Sequence, residues 1–349
     1  MNKWMASLLA VAVGSVAGTV FACSKCSVGS PEPAQTYFGL NADPIGASAK
    51  TDAPKFLQAL KDSGAGSVRI PVRWSQLEPQ RGQWNFEAAD AVLAGIPDDV
   101  EVLGVLMSVP AWANGTSSSA DAAVRDATPA KNLEDWKNYV ATTVKHCKSK
   151  IRHWEVWPGG NGDGFQPKSD VAAYVQILKA GYETAKQTDP GCIVILGGLD
   201  GDGVAANPLA RHSAANFLES LYQAGAQKYF DACNIHPYVL PLEGAARMME
   251  LARDAEQVMA KYGDDDKPLY LTEVGSIARD GETQAAQSRL LEEVYQAARK
   301  DKQLCHVFWY SLHDDQRATE STMGLIATDW TRKPGFEAFV KAAHEKTIR

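Results

Sequence analysis

The chain has no basic run and no excess of positive charge. Lysine and arginine together number 35 against 42 aspartates and glutamates, so the formal net charge of the 349 residues is −7. A mildly acidic chain of this kind is a poor candidate for binding a phosphate backbone, and we expect no nucleic-acid partner. The sequence contains neither a recognisable set of metal ligands nor a glycine-rich phosphate loop, so we also expect no metal and no cofactor.

Long apolar runs are absent except near the N-terminus. Lys3 precedes an apolar run over residues 5–21. This pattern predicts a secretory signal peptide over residues 1–22 that is removed from the mature protein. A retained membrane anchor is the alternative, although the run contains glycine, serine and threonine and is short for a membrane span. We therefore expect an exported protein that is periplasmic, secreted or held at the outer membrane as a lipoprotein.

The end of the predicted signal peptide leaves two routes of processing open. Ala22 suits an ordinary signal peptidase, whereas Ala22-Cys23 also resembles a bacterial lipobox, in which Cys23 becomes lipidated. A lipid on Cys23 is the only membrane attachment that we expect. Residues 23–36 would then form a short tether rich in serine, proline and glycine. Residues 37–349 are predicted to form a single domain, because no linker or second compositional region interrupts them.

Cysteine is scarce and widely spaced. An oxidising compartment would permit disulfides, but the sequence does not determine which cysteines pair. The wide spacing does not indicate a metal site. The six residues are Cys23, Cys26, Cys147, Cys192, Cys233 and Cys305.

Short β-branched runs alternate with helical stretches along the predicted domain. The eight predicted strands cover residues 37–41, 67–72, 100–107, 153–157, 193–197, 232–236, 269–273 and 307–312. Helical period or composition appears between most of them, for example at residues 52–63, 133–147 and 170–187. This alternation implies parallel βαβ units, and eight units imply closure into an α/β fold of the (β/α)8 TIM-barrel type.

The functional residues of such barrels lie at the carboxyl ends of the strands. The predicted ends carry aromatic rings, a carboxylate, a histidine and an arginine, on residues Arg73, Trp74, Trp112, Trp157, Asp200, His236, Tyr238, Glu273, Trp309 and Tyr310. Aromatic faces stack on the C–H faces of sugar rings, and polar groups bind sugar hydroxyls. A single tryptophan is usually a core residue, but several on one rim favour a carbohydrate ligand.

Several ordered motifs carry a resemblance to a known group of enzymes. They are RWSQLEPQRGQWNF at residues 73–86, WEVW at 154–157, FDACNIHPY at 230–238, LTEVG at 271–275, and MGL at 323–325 followed by KP at 333–334. Together they resemble the clan A retaining glycoside hydrolases, nearest to the β-xylosidase and α-L-iduronidase-like families and to bacterial exopolysaccharide glycosidases. Each motif alone is weak, but the set spans nearly the whole predicted domain.

The resemblance implies hydrolysis of O-glycosidic bonds in a polysaccharide or oligosaccharide by a retaining mechanism. That mechanism uses two carboxyl groups about 5–5.5 Å apart. Glu273 matches the nucleophile of the family. Arg69 would keep the nucleophile ionised, because a nearby cation lowers a carboxyl pKa, and Trp309 would form the floor of the cleavage subsite. The substrate-binding residues implied by the resemblance are Arg69, Trp112, Trp157, His236, Tyr238 and Trp309.

The chain departs from the family where the acid/base glutamate is expected. The family reads Trp-Asn-Glu-Pro-Asn, whereas this chain reads Trp157-Pro158-Gly159-Gly160-Asn161. Gly159 cannot donate a proton, and Pro158 stands where an asparagine of the family contacts the sugar 2-hydroxyl. Losing general acid catalysis typically costs about 10²–10⁴-fold in rate.

Other carboxylates near the gap are candidates to replace the missing acid. We favour Asp163, which lies just past the gap, over Asp200, Asp202 and Glu243, which follow the fifth and sixth strands. Glu155 shares a strand face with Gly159, but the family keeps a glutamate at that position as well. We therefore expect Glu155 to be structural.

Two functions of different class follow from these observations. In the first, the protein is an active glycosidase whose acid is relocated or supplied by the substrate, or whose substrates have good leaving groups. In the second, it is a catalytically impaired carbohydrate-binding pseudoenzyme. A sequence altered at the acid/base motif is a third possible origin. The intact region around Glu273 favours the first function, whereas the double change at Pro158 and Gly159 favours the second.

Overall fold

The computed structural model describes residues 37–45, 49–117, 120–201, 213–238, 244–314 and 322–344. The predicted signal peptide and tether lie outside the described residues, as do Cys23, Cys26, Asp202 and Glu243. No helix in the described ranges is both long enough and apolar enough to cross a membrane.

The strands run parallel and follow one another around a barrel. The described segments are β1 (Tyr37–Asn41), β2 (Ser67–Arg73), β3 (Glu101–Met107), β4 (Ile151–Val156), β5 (Ile193–Leu196), β6 (Leu199–Asp200), β7 (Cys233–His236), β8 (Leu269–Val274) and β9 (Leu304–Trp309). Their order in the sheet is β5-β4-β3-β2-β1-β9-β8-β7-β6. β5 and β6 are consecutive segments of one barrel strand, and a parallel bridge from Ile195 to Ala232 closes the ring. The predicted (β/α)8 TIM barrel is therefore confirmed.

The strand boundaries agree with the sequence predictions except at the last strand. We predicted residues 307–312, but β9 is Leu304–Trp309. Its first half is buried like its second half, and His306 pairs in register with both neighbouring strands. His306 faces the inside of the barrel and interrupts the apolar pattern of this strand. The predicted start at residue 307 is therefore three residues later than the observed start at Leu304. Trp157 also lies outside its predicted strand, because its φ of 57° ends β4 at Val156.

Helices cover the outside of the barrel. They are α1 (Ala49–Ser63), α2 (Trp74–Leu77), α3 (Glu87–Gly95), α4 (Ala111–Asn114), α5 (Ala122–Asp126), α6 (Leu133–Cys147), α7 (Val171–Thr188), α8 (Ala214–Gln223), α9 (Gly244–Lys261), α10 (Gly281–Ala298) and α11 (Pro334–His344), with a short 3-10 helix at Ala226–Tyr229. Side-chain caps fix several helix starts, because they satisfy backbone N–H groups that have no partner in the helix. Asn132 caps α6, Asp170 caps α7, and Asp280 forms a capping box with Thr283 on α10.

The barrel lumen contains an apolar plug between two polar layers. The plug consists of Leu103, Val105, Ile195, Ala232, Tyr270, Cys305 and Phe308, and it is separate from the larger core under the helices. Inward-facing residues recur every second position along a strand, so residues two positions from the plug also face the lumen. On β4 this alternation takes His153 towards the amino end of the barrel and Glu155 towards the carboxyl end. The polar layer at the carboxyl end is the candidate site.

Four cysteines lie in the described part of the chain, and all four are buried. Burial raises the pKa of Cys192 to about 11, and that of Cys147 and Cys233 to about 12. These thiols are packing residues with little thiolate character, since a raised pKa disfavours the reactive anion. The fourth is Cys305.

Candidate active site

Arg69 on β2 is the charged centre of the polar layer. Its Nε and Nη2 donate to the two carboxylate oxygens of Glu155 at 2.7 and 2.9 Å. Its Nη1 donates to Glu273 Oε1 at 2.6 Å and to Asn41 Oδ1 at 2.7 Å. Burial opposes the charge on Arg69, but Glu155 and Glu273 outweigh it and raise the pKa of the guanidinium. One buried cation therefore fixes the positions of two carboxylates.

Glu155 lies beneath the site and is not exposed at all. Besides the two bonds from Arg69, it accepts a hydrogen bond from the backbone N–H of Gly198 at 3.1 Å. Burial acts to raise the carboxyl pKa, but the Arg69 guanidinium outweighs it and holds the pKa of Glu155 below its ordinary value. With its oxygens occupied by donors, Glu155 is placed to hold Arg69 in position.

Glu273 is a partly exposed carboxylate of the polar layer. It projects from β8, and 17% of its side chain is exposed. Arg69 binds one oxygen, and the Tyr238 hydroxyl donates to the other at 3.0 Å. Burial and the nearby Glu273 carboxylate raise the pKa of Tyr238 well above its usual range, so this tyrosine stays a hydrogen-bond donor. The structure thus brings Arg69, Tyr238 and Glu273 together, three residues that the sequence predicted to share a site.

His236, at the end of β7, lies between two carboxylates. Its Nδ1 is 3.7 Å from Glu273 Oε2 and 3.4 Å from Asp200 Oδ1, while its Nε2 is 2.9 Å from the hydroxyl of Thr272. Burial opposes protonation, but Glu273 and then Asp200 outweigh it and raise the pKa of His236. The imidazole therefore couples the Glu273 carboxylate to a second carboxylate.

A glycine makes room for this imidazole. A Cβ on Gly198 would lie 1.9 Å from His236 Nε2, closer than any real contact of that kind. The backbone N–H of Gly198 also donates to Glu155. At the break between β5 and β6, the backbone therefore lies so close to the His236 ring that only glycine fits.

Three residues that the sequence analysis missed brace the site from below. Asn41 on β1 accepts from Arg69 and donates through Nδ2 to the carbonyl of Thr272 at 2.8 Å. Asn234 on β7 exchanges two bonds with Thr272, one to its hydroxyl and one from its N–H, at 2.8 and 3.1 Å. All three are buried polar residues near the ends of their strands. Polarity within otherwise apolar strands was the signal that would have revealed them.

The loop after β4 has a shape of its own around the altered motif. Gly159 has a φ of 70°, and a Cβ there would lie 3.1 Å from the Cα of Gly164. The Gly159 N–H donates to the carbonyl of Gly198 at 2.8 Å. A Cβ on Gly160 would lie 2.4 Å from the ring of Tyr174. The loop backbone is thus built for glycine at both positions, so a larger residue would require the loop to move.

The same loop holds Asp200 against the site. Asn161 donates to the Asp200 carbonyl at 2.8 Å and accepts from the Asp200 N–H at 2.9 Å. A Cβ on Gly159 would lie 3.7 Å from Asp200 Oδ2. The Asp200 carboxylate therefore lies within reach of a longer side chain at position 159.

Asp200 and Glu273 approach the same nitrogen of His236. Because their distances of 3.4 and 3.7 Å share that atom, the two oxygens cannot be further apart than the sum of these distances, 7.1 Å. Asp163, which the sequence analysis favoured as replacement acid, is exposed on the loop. His236 thus links Glu273 to Asp200, a partly exposed carboxylate, whereas Glu155, which shares Arg69 with Glu273, is fully buried.

The tryptophans predicted to contact sugar differ in their placement. Trp157 and Trp309 are 2% and 0% exposed and belong to the core under the helices. Trp112 is half-buried, donates to the carbonyl of Glu78 at 2.9 Å and packs under the guanidinium of Arg81. Their role in substrate binding stays a prediction.

A tyrosine that the sequence analysis gave no role in binding lies closer to the site. Tyr310 follows β9, is half-buried, and has its ring centroid 6.4 Å from that of Tyr238. Tyr238 in turn donates to the partly exposed Glu273 carboxylate, so Tyr310 lies beside a residue that binds Glu273.

Several solved protein structures have a fold similar to that of this chain. No family model matches the chain. A family 39 glycoside hydrolase from Bacteroides cellulosilyticus is similar with a TM-score of 0.65 and 20% identity, covering 88% of this chain and 63% of that enzyme. A monomeric β-xylosidase from Caulobacter crescentus is similar with a TM-score of 0.69 and 16% identity over 90% of this chain and 69% of its own. Xylanase 10B from Thermotoga maritima has a TM-score of 0.62 and 15% identity over 88% of this chain and 94% of its own.

These solved structures share the barrel with this chain. The resemblance to clan A glycoside hydrolases that the motifs indicated is therefore confirmed at the level of the fold. The identities are low, and the chain spans less than two thirds of the length of the family 39 enzyme.

Proposed function

We propose that this protein is a retaining glycoside hydrolase in which Glu273 is the nucleophile and Asp200 serves as acid and base. The observation that carries the proposal is the pair of carboxylates on His236, one of which, Glu273, is also bound by Arg69 and Tyr238. The barrel shared with glycoside hydrolases and xylosidases supports a carbohydrate substrate. The predicted signal peptide further supports action outside the cytoplasm.

In the proposed first step, a Glu273 oxygen attacks the anomeric carbon. The bond from that carbon to the leaving oxygen breaks, and Asp200 gives its proton to that oxygen. Arg69 and Tyr238 hold the two oxygens of Glu273, which orients the carboxylate and limits its loss of freedom on reaction. In the second step, the Asp200 carboxylate takes a proton from water, which attacks the same carbon and releases Glu273.

The separation of the two carboxylates supports this assignment without fixing the stereochemistry. Retaining enzymes hold their carboxyl groups about 5–5.5 Å apart, and inverting enzymes hold them about 6.5–9.5 Å apart. The Asp200 Oδ1 and Glu273 Oε2 atoms are at most 7.1 Å apart, which is compatible with the retaining distance and also with the lower part of the inverting range. Proton NMR of the first product from a chiral glycoside would distinguish the two, and we expect retention.

Glycosides with leaving groups of different acidity test the role of Asp200. A dinitrophenyl glycoside needs little protonation, so Asp200→Ala should form the glycosyl-enzyme from it at near the wild-type rate and then stall. Added azide should restart turnover, because azide attacks without a base, and the product should be a glycosyl azide. Oligosaccharide hydrolysis by Asp200→Ala should fall by about 10²–10⁴-fold.

Two further variants make the test decisive. Glu273→Gln should abolish turnover of both substrates, since the nucleophile is lost. Asp163→Asn is the matched control, because Asp163 is an exposed aspartate on the neighbouring loop and should leave both rates unchanged. The proposal fails if Glu273→Gln retains activity. The assignment of Asp200 alone fails if Asp163→Asn gives the azide-rescued loss in its place.

A carbohydrate-binding protein without turnover is the second candidate function. The replacement of the acid/base motif by Pro158 and Gly159 favours it, because proline and glycine supply no acid. Under this alternative, the protein should bind oligosaccharides while no aryl glycoside reacts. Glycan binding measured by calorimetry on wild type and on Glu273→Gln would then give the same affinity.

A further inference from the structure

The polar layer at the amino end of the barrel contains two histidines and one glutamate whose ligand atoms converge. Glu101 is the first residue of β3, and its Oε1 lies 2.6 Å from His153 Nδ1 and 2.8 Å from His306 Nε2. Within the described part of the chain this is the one group of three histidine, cysteine or carboxylate side chains with converging ligand atoms, all within 4.8 Å of one another. The apolar plug separates it from the candidate active site.

The 2.6 Å contact between Glu101 and His153 is not aligned as a hydrogen bond. Glu101 Oε1 and His153 Nδ1 are buried atoms that make no hydrogen bond of correct direction to any described residue, although they are 2.6 Å apart. Buried polar atoms are nearly always satisfied, and a bound ion is one way to satisfy them. An ion placed between the three atoms would need no N–H directed at the oxygen.

We propose that Glu101, His153 and His306 bind a divalent transition-metal ion that links β3, β4 and β9. Two imidazole nitrogens and one carboxylate oxygen form a ligand set that suits zinc, with water as a fourth ligand. Bond lengths of about 2.0–2.2 Å in a tetrahedral site put ligand atoms roughly 3.3 Å apart. The Glu101 oxygen therefore needs to move only a fraction of an ångström further from each imidazole nitrogen to admit the ion.

The surroundings of the cluster suit a structural ion. His306 is 1% exposed, and its ring stacks on Tyr270 with centroids 4.5 Å apart, which fixes its orientation. The Glu101 side chain is 26% exposed, so an ion and a water molecule have a path from solvent. Because the unfolded chain does not bring the three ligands together, binding of the ion would stabilise the folded barrel.

Metal titration of tag-free, chelator-treated protein tests the proposal. Calorimetry with Zn²⁺ should give one site per chain, and Co²⁺ should give the visible absorption of a four- or five-coordinate ion. Zn²⁺ at 100 times its dissociation constant should raise the melting temperature by about 4 °C for a domain of this size. Glu101→Gln and His153→Gln should each weaken Zn²⁺ binding by at least about 100-fold.

His146→Gln is the matched control. His146 Nε2 lies 2.7 Å from Asp90 Oδ1 in an exposed pair that has one imidazole and one carboxylate, so its loss should leave the affinity unchanged. Circular dichroism checks that each variant folds, and the partly exposed Glu101→Gln decides the question if His153→Gln does not fold. Failure of the wild type to bind Zn²⁺, or binding that survives the Glu101→Gln substitution, would overturn the proposal. Neither result bears on the glycosidase proposal, since no substrate is used.

Discussion

Replacement of Arg69 by methionine should destabilise the barrel more than loss of any exposed ion pair. The side chain is 4% exposed and makes two of its hydrogen bonds to Glu155, which is 0% exposed. Without Arg69, the partners that Glu155 keeps among the described residues are the Gly198 N–H at 3.1 Å and His236 at 3.8 Å. Removing one partner of a buried pair typically costs about 3–5 kcal/mol, because the other charge stays buried without compensation.

This cost corresponds to a fall in melting temperature of about 5–8 °C for a domain of this size. Arg81→Met is the matched control, since Arg81 makes a similar two-bond pair with Asp135 but is 63% exposed. Exposed pairs contribute little to stability, because solvent screens the two charges. The double variant Arg69→Met with Glu155→Leu should recover at least about half of the loss, because no unpaired buried charge remains.

The same variant should reverse the pH dependence contributed by Glu155. In the wild type, Arg69 keeps the pKa of Glu155 below its ordinary value near 4.5. The ionised Glu155 therefore contributes to the free energy of unfolding above pH 4.5, and this contribution is lost as the pH falls below that value. Without Arg69, burial favours the neutral acid, so Arg69→Met should lose less stability relative to the wild type at about pH 5 than at about pH 8. Denaturant melts at both pH values measure this. If Arg69→Met costs no more than Arg81→Met, or the double variant is no more stable than the single, the reasoning is refuted.

Three further substitutions test other parts of the site. Gly198→Ala should lose about 1–3 kcal/mol in denaturant melts and most of any glycosidase activity, because its Cβ would lie 1.9 Å from His236 Nε2; unchanged stability would contradict this geometry. Gly159→Glu should lower the melting temperature and fail to increase hydrolysis, because the backbone has a φ of 70° and the Cα of Gly164 would lie 3.1 Å from the new Cβ. A gain in activity would contradict this and show that the loop can adopt another conformation. His236→Gln should lower the free energy of unfolding mainly at low pH. Glu273 and Asp200 raise the pKa of His236 above 6.5, so the contribution of the protonated imidazole is lost as the pH rises through that raised value. A loss independent of pH would mean that the imidazole acts through packing alone.

The barrel could be predicted because its signals are local. β-Branched runs such as Ser67–Arg73 and helical stretches such as Leu133–Cys147 alternate along the chain, and short-range sterics and burial decide each of them. The last strand was misplaced because His306 faces the lumen, and no local pattern distinguishes a buried polar residue from a loop residue.

The candidate site could be predicted only in part. Glu273, His236 and Tyr238 lie at or just after the carboxyl ends of their strands, which a parallel barrel brings to one rim, so their meeting follows from the order of the strands. Arg69 lies inside β2, and its long side chain reaches Glu273. Asn41 was missed because its partners Arg69 and Thr272 lie 28 and 231 residues away in the sequence. Its role is visible only once the hydrogen bonds across the lumen are known.

Residue type and order were enough to predict the barrel, which the structure confirms, and they also predict a nucleophile at Glu273 and a gap in the acid/base motif at Gly159. Only the tertiary structure decided which carboxylate stands beside that gap. Asp163 is near in sequence but exposed, whereas Asp200 is held by Asn161 and reaches the same imidazole as Glu273. The physical reason is that side-chain proximity across a barrel depends on backbone torsions, such as the φ of 70° at Gly159, and on close contacts at Gly198 between distant segments.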